Sequence, residues 1–317
     1  MKKFLTLAVL TLATPIITQQ SEALAVTLGP LPRDVIYSAE GTFDRPNIFF
    51  NNPTDTIQIA GQTVLGNEST YEAGIYFPSG IGAGGLVFNE FKYALEDKQF
   101  LAGPNGLFGY NYPNYPNYIL SGITSTTPLA LNTWHHIAFV QGEGSQRLYL
   151  DGQIVGSRSG AGDIWDSDSG GFLGAIFRGD TPSNIYDQLV PSFIGHLDTF
   201  RISNVARYTG NSFEAPKGDL TSDASTQLLY NFILEDYFQQ DGDTWVSDLS
   251  GNGRNGRFGK GFAGATSPSI VVPVDSQEST AVPEPTTVLG TLAFGAVVTR
   301  WRMKHKQQQK VLNSTVA

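Results

Sequence analysis

The 317-residue chain has no cysteine and only two methionines. That excludes disulfides, thiolate metal sites and a cysteine nucleophile. Stability must come from a packed core. Charged residues make up only 15% of the chain, and the balance is acidic, with a formal net charge of −9. The imbalance is steeper in the interior. Residues 26–299 hold 13 basic and 28 acidic side chains, a net of −15. Nucleic acid is thereby excluded as a partner, since it needs a basic footprint. Apolar residues at helical spacing are also nearly absent. What is abundant is glycine, 35 residues, with 20 phenylalanines and 13 tyrosines.

The two ends carry targeting features. Met1-Lys2-Lys3 is a short basic region, Phe4–Ile17 is apolar, and Ala23-Leu24-Ala25 is a small-residue cleavage site. Together they read as a signal peptide over 1–25. At the other end, Val282-Pro283-Glu284-Pro285 precedes an apolar stretch, Thr286–Thr299, and then Arg300-Trp301-Arg302-Met303-Lys304-His305-Lys306. The prolines stop a helix from running back into the preceding segment. The cations would sit on the cytoplasmic side of a bilayer. A 14-residue helix spans only about 21 Å, short of a hydrocarbon core of about 30 Å. This order of parts resembles the PEP-CTERM sorting tail of bacterial exported proteins, with Val282, Pro283, Glu284 and Pro285 as its signal. The resemblance implies an exosortase-type processing enzyme as a partner. It also implies a membrane anchor over 282–310 that lasts until processing, and a location at the cell surface or in the extracellular matrix.

Between the ends, short runs of Val, Ile, Phe, Tyr and Thr alternate with Gly, Asn, Asp and Pro clusters, the mark of many short strands. Trp134–Val140 reads as a strand. Arg147–Leu150 and Gln153–Val155 flank Asp151-Gly152, a type I′ hairpin signal because both turn residues need positive φ. Phe193–Ser203 is a third strand. Ser, Val, Pro and Asp over 268–281 read as a linker, and 311–317 as a short tail. Trp134 and Trp245 read as core.

These strands carry a second resemblance. Leu131–Val140, Leu148–Gly152 and Gly195–Ser203 follow one another in order. Leu228–Phe232 and Asp248–Gly253 come after them. The set resembles the laminin-G-like, concanavalin A-like jelly roll. It implies an all-β fold, a two-sheet jelly-roll sandwich over 26–267, flanked by an N-terminal signal helix and a C-terminal hydrophobic helix. One such sandwich hosts lectins, adhesins and hydrolases, so fold does not settle function.

Catalysis finds little support in the residues. A jelly-roll glycosidase needs two carboxyl groups on one strand face. Glu90, Glu96-Asp97, Glu235-Asp236 and Asp241-Gly242-Asp243 do not alternate within a β-rich run, and read as loop acids. His135 and His136 point to opposite faces of a strand. Asp166-Ser167-Asp168-Ser169-Gly170 starts like an EF-hand loop, but its twelfth position is Phe177, not Glu. Asp248 and Asn252 read as turn residues, with Asn252 tolerating left-handed geometry.

Two binding sites remain. Asp198 shares a strand face with Phe200 and Ile202 under plain alternation, a costly place for a carboxylate unless it is bonded or holds a metal. A structural hydrogen bond is the first expectation there, with calcium as the candidate cofactor in the alternative. Tyr110, Tyr112, Tyr115 and Tyr118, spaced by Asn and Pro, can stack on sugars or lie buried along the sandwich. The expectation is an exported, non-catalytic protein that binds a glycan, an exopolysaccharide or a surface protein. A glycoside hydrolase or lyase is one alternative. A structural surface protein without a small ligand is the other.

Overall fold

A computed structural model describes residues 35–38, 43–92, 95–111, 122–161, 164, 170–175, 192–262 and 264–273. The signal peptide, Asp166, Asp168, Tyr112, Tyr115, Tyr118, the Val282–Pro285 motif and the C-terminal helix lie outside them. Among the described residues no helix is long and apolar enough to cross a membrane.

The described residues form eighteen strands, numbered in chain order, in two nine-stranded sheets. The first sheet begins with β1 (Val35–Tyr37), β18 (Ser269–Val272), β2 (Asn47–Phe50), β13 (Gly195–Ser203) and β4 (Ser69–Tyr76). It continues through β9 (Trp134–Gly142), β10 (Ser145–Leu150) and β11 (Gln153–Ser159), with β14 (Thr226–Tyr230) beside β13. The second sheet begins with β15 (Tyr237–Gln240), β16 (Asp243–Val246), β17 (Gly256–Phe258), β3 (Ile57–Ile59) and β12 (Gly171–Leu173). It ends with β5 (Gly85–Lys92), β6 (Leu95–Gly103), β7 (Gly106–Asn111) and β8 (Gly122–Ser125). The expected all-β, two-sheet sandwich is therefore present.

Alternation explains how the sheets meet. Tyr71, Ala73 and Ile75 of β4 pack inward with Ile137 and Phe139 of β9, against Phe88 and Phe100 of the second sheet. Tyr71 stacks between Phe88 and Phe139, at 5.4 and 5.7 Å between ring centroids. Each fully buried ring or aliphatic side chain contributes roughly 1.5–3 kcal/mol. The hairpin expected at Asp151-Gly152 joins β10 to β11, with φ of 50° and 77° at the two turn residues.

Several expectations are corrected. The linker cannot begin at 268, because Ser269–Val272 is β18, paired with β1 and β2. Trp134 and Trp245 are half-buried on outer faces and belong to neither apolar cluster. Glu90 is a buried residue of β5, not a loop acid. Glu96 and Asp97 likewise lie in β6 and Asp243 in β16, not in loops, whereas Glu235 and Asp236 stay off the strands, in the 3-10 turn Leu234–Asp236. In the Asp248 loop the positive φ values fall on Gly251 and Gly253, not Asn252. Asp248 organises that turn, accepting the backbone N–H groups of Leu229, Ser250 and Arg254.

Asp198 also departs from plain alternation. The β13–β4 register shifts between Leu197 and Thr199. A bulge of this kind puts an extra residue into one strand. Leu197 and Phe200 therefore both face the core, and Asp198 turns to the outer face.

Candidate functional site

The outer face of the second sheet carries one continuous cross-strand row. Gly122, Tyr110, Gln99, Asn89, Phe172, Gln58, Arg257, Trp245 and Phe238 are successive register partners. Their strand neighbours Phe88, Phe100, Leu173, Ile57, Phe258 and Val246 all point into the core. Alternation therefore turns the row outward. From Tyr110 to Trp245 it crosses seven strands, or about 29 Å at ~4.8 Å per strand. Aromatic rings and carboxamides share it. Phe172, Trp245, Phe238 and the neighbouring Phe108 are half-buried, and Tyr110 is 9% exposed.

Asn89 is the anomaly in this row. It is 1% exposed, and neither its Oδ1 nor its Nδ2 has a hydrogen-bond partner. Gln99, its direct cross-strand neighbour, leaves Nε2 unpartnered at 7% exposure. Buried polar groups are ordinarily satisfied, and each one left bare costs about 1–3 kcal/mol. An Asn89 amide bare on both donor and acceptor, beside the bare Nε2 of Gln99, is suited to a polar ligand that offers both.

At the far end of the row, Arg257 lies 5.4 Å from the centre of the Trp245 ring. Arg257 and Lys260 both pair with Asp243. Their hydrogen bonds hold the Asp243 carboxyl below the usual range. Asp243 is thus a neutralised anchor and not a free acid.

The outer face of the first sheet is chemically different. Glu72 is fully buried and receives Arg201 Nε at 2.7 Å, Tyr208 OH at 2.7 Å and His136 Nε2 at 3.1 Å. Burial pushes its pKa up, but the His136 hydrogen bond and the Arg201 charge outweigh this and lower it. Tyr208 and Phe213, stacked at 3.6 Å, cover this network against Tyr149. A carboxylate so engaged locks the 204–213 segment onto the sheet.

Nearby, Asp198 stands 3.4 Å from Arg45 Nε, a charge contact not aligned as a hydrogen bond, and accepts Thr199 Oγ1 at 3.2 Å. Burial raises its pKa, partly offset by Arg45. Gly74 makes room for it, since a Cβ there would lie 1.9 Å from Asp198 Oδ1. Among the described residues no group of three His, Cys, Asp or Glu is arranged to hold a metal ion.

A second aromatic row, Phe49–His196–Tyr76 and on to Trp134, lies on the same sheet. Phe43 packs against His196, Tyr76 and Trp134. Burial holds His196 down to about 4, so it stays neutral, with Nδ1 on Asn47. An open cavity of about 780 Å³ by the β6–β7 turn is lined mainly by glycines and apolar residues, with no titratable side chain.

Of the sequence candidates, then, Tyr110 joins the row, though its ring is buried. Asp198 lies on the other sheet. Asn89 and Gln99 were missed. The only signal was an amide beside an apolar run, Asn89 after Leu86-Val87-Phe88 and Gln99 before Phe100-Leu101-Ala102.

The family model of the concanavalin A-like lectin/glucanases superfamily matches residues 51–209. No protein of curated function matches the chain. Among solved structures, a Bacteroides ovatus protein named for suspected carbohydrate binding is 18% identical, with a TM-score of 0.48. That match covers 71% of this chain and 61% of that protein. A heptameric SAP-like pentraxin from Limulus polyphemus is 16% identical, with a TM-score of 0.39 over 52% of this chain and 78% of that one. The CBM40 of a Ruminococcus gnavus sialidase, bound to α2,3-sialyllactose, is 8% identical, with a TM-score of 0.39 over 53% and 94%. No residue here takes a role from these likenesses.

Proposed function

The chain belongs to the concanavalin A-like lectin/glucanase superfamily, and from that premise we propose that it is an exported, non-catalytic module that binds carbohydrate across the outer face of its second sheet. The observation that carries this reading is the bare carboxamide of Asn89 beside the unpartnered Nε2 of Gln99. Sugar hydroxyls both donate and accept, which matches what these amides lack. Sugar C–H faces can stack on Phe172 and Trp245, and Tyr110 closes the other end. The length of the row suits a chain of several sugar units, such as a surface or matrix polysaccharide. Glycoside cleavage needs two carboxyl groups roughly 5–9.5 Å apart. Among the described side chains named on this face only Asp243 is acidic, and two cations hold it.

The signal segment 1–25 and the 282–310 tail support export and a transient membrane anchor, with an exosortase-type enzyme as processing partner. Calcium at Asp198 is a separate arm of the proposal, because Arg45 already stands against that carboxylate.

The test is binding of the purified protein and its Asn89→Ala/Gln99→Ala variant to a polysaccharide panel, with calcium and with EDTA, while released sugar is measured. Binding without release that the variant loses is expected. Release of sugar would make the protein a glycosidase or lyase. Binding that the variant keeps would move the ligand to the Phe49–Trp134 row, and no binding would favour a purely structural surface protein. A melting temperature that does not change at saturating calcium would remove the ion.

A further inference from the structure

Three side chains inside the sandwich form a line that the carbohydrate reading does not use. Glu90, Lys98 and Asn111 sit on β5, β6 and β7 and are successive register partners. All three point into the core and are 1% exposed or less. Lys98 Nζ donates to Glu90 Oε2 at 2.6 Å and to the Thr63 carbonyl at 3.3 Å. Glu90 also accepts Thr63 N–H and Oγ1–H. Asn111 is held on both sides of its amide. Tyr71 OH donates to its Oδ1 at 3.0 Å. Its Nδ2 donates to Ser69 Oγ and Gln141 Oε1, both at 3.1 Å.

This combination is expensive as mere packing. A buried ion pair gains little over apolar residues of the same volume. As reaction machinery, however, it is complete: an amine, a carboxamide electrophile, a carboxyl that can move protons, and a hydroxyl on the amide oxygen.

We propose that Lys98 and Asn111 form an intramolecular isopeptide bond in the folded protein, with Glu90 moving the protons. Lys98 gives its proton to Glu90 across the 2.6 Å hydrogen bond. The free amine then attacks Asn111 Cγ. Negative charge develops on Oδ1, where Tyr71 OH already donates, as an oxyanion donor should. Glu90 returns that proton to the departing nitrogen, takes up the second proton that Nζ sheds as the amide forms, and so ends protonated. The Cγ–Nδ2 bond breaks, the Nζ–Cγ amide forms, and ammonia leaves. No oxidant or co-reactant is needed. Burial raises the Glu90 carboxyl, with Lys98 opposing, so it can hold a proton between steps.

Nζ must first leave the Thr63 carbonyl and turn across β6 toward β7. The four-carbon lysine stem has the reach, because directly opposed residues have Cβ atoms about 5 Å apart. The cross-link would tie β6 to β7 in a chain that has no cysteine to do so.

A tryptic map of the denatured full chain tests this. Trypsin sites here follow Lys92, Lys98 and Arg147. A linked Lys98 resists cleavage, so the expected product is a single peptide, 93–147, lighter than its sequence mass by one ammonia, about 17 Da. Separate peptides 93–98 and 99–147 at full mass would overturn the proposal, and this readout needs no variant. Glu90→Gln should restore cleavage after Lys98 and the full mass. A variant still linked would remove Glu90 from the reaction.

Discussion

Replacing Asn89 with leucine should stabilise the free protein while weakening glycan binding. The side chain is 1% exposed, with two unpartnered polar atoms. Leucine has nearly the same shape and nothing to desolvate. Bare buried polar groups cost about 1–3 kcal/mol in proteins, so removing the amide should add roughly 2 kcal/mol. For a domain of this size that is a rise of about 4–8 °C in melting temperature. Binding should weaken by about tenfold or more, since two hydrogen bonds to sugar, each worth ~0.5–1.5 kcal/mol, are lost. Differential scanning calorimetry and glycan titration on the same Asn89→Leu preparation read both effects. A fall in melting temperature would refute the reasoning, because it would mean that the amide has a partner in the free protein. Higher stability with unchanged binding would leave the amide costly but useless. Opposite movement of the two is the trade-off expected of a binding residue.

Two further predictions concern the fold. Burial first, then Glu235 and Asp219, push the Asp236 carboxyl from an ordinary 3.8 up to about 7. The folded state therefore holds a proton that the unfolded chain has released, and stability falls as pH rises from about 4 to 7. A shift of this size corresponds to roughly 4 kcal/mol at pH 8. Urea titrations from pH 4 to pH 8 should show Asp236→Asn losing less stability than the native protein, and parallel profiles would refute the shift. Separately, Gly74→Ala drives a Cβ into Asp198 Oδ1 and should cost about 1–3 kcal/mol. Adding Asp198→Ala should cost less than the sum of the two single changes. Strict additivity in denaturant melts would show that Asp198 does not fill the space over Gly74.

Much of the architecture was legible from local physics. Alternating apolar runs, the Asp151-Gly152 turn and the missing helical period lead to a two-sheet sandwich, because side-chain period and turn chemistry are short-range properties. The absence of cysteine and the acidic balance are likewise read directly. Which acids matter could not be read that way. Glu90 resembles a loop acid in one dimension, and only pairing between β5 and β6 sets it against Lys98 in the core. Asp198 follows alternation until the bulge in β13, and a bulge is decided by the partner strand. Asn89, Gln99, Phe172 and Trp245 are scattered along the chain, and become one row only when register across the second sheet lines them up. Sequence by itself determined the all-β class and the most regular strands, but not strands such as β18, which read as linker. The long-range pairing of strands decided which side chains meet, because register joins residues that no local pattern relates.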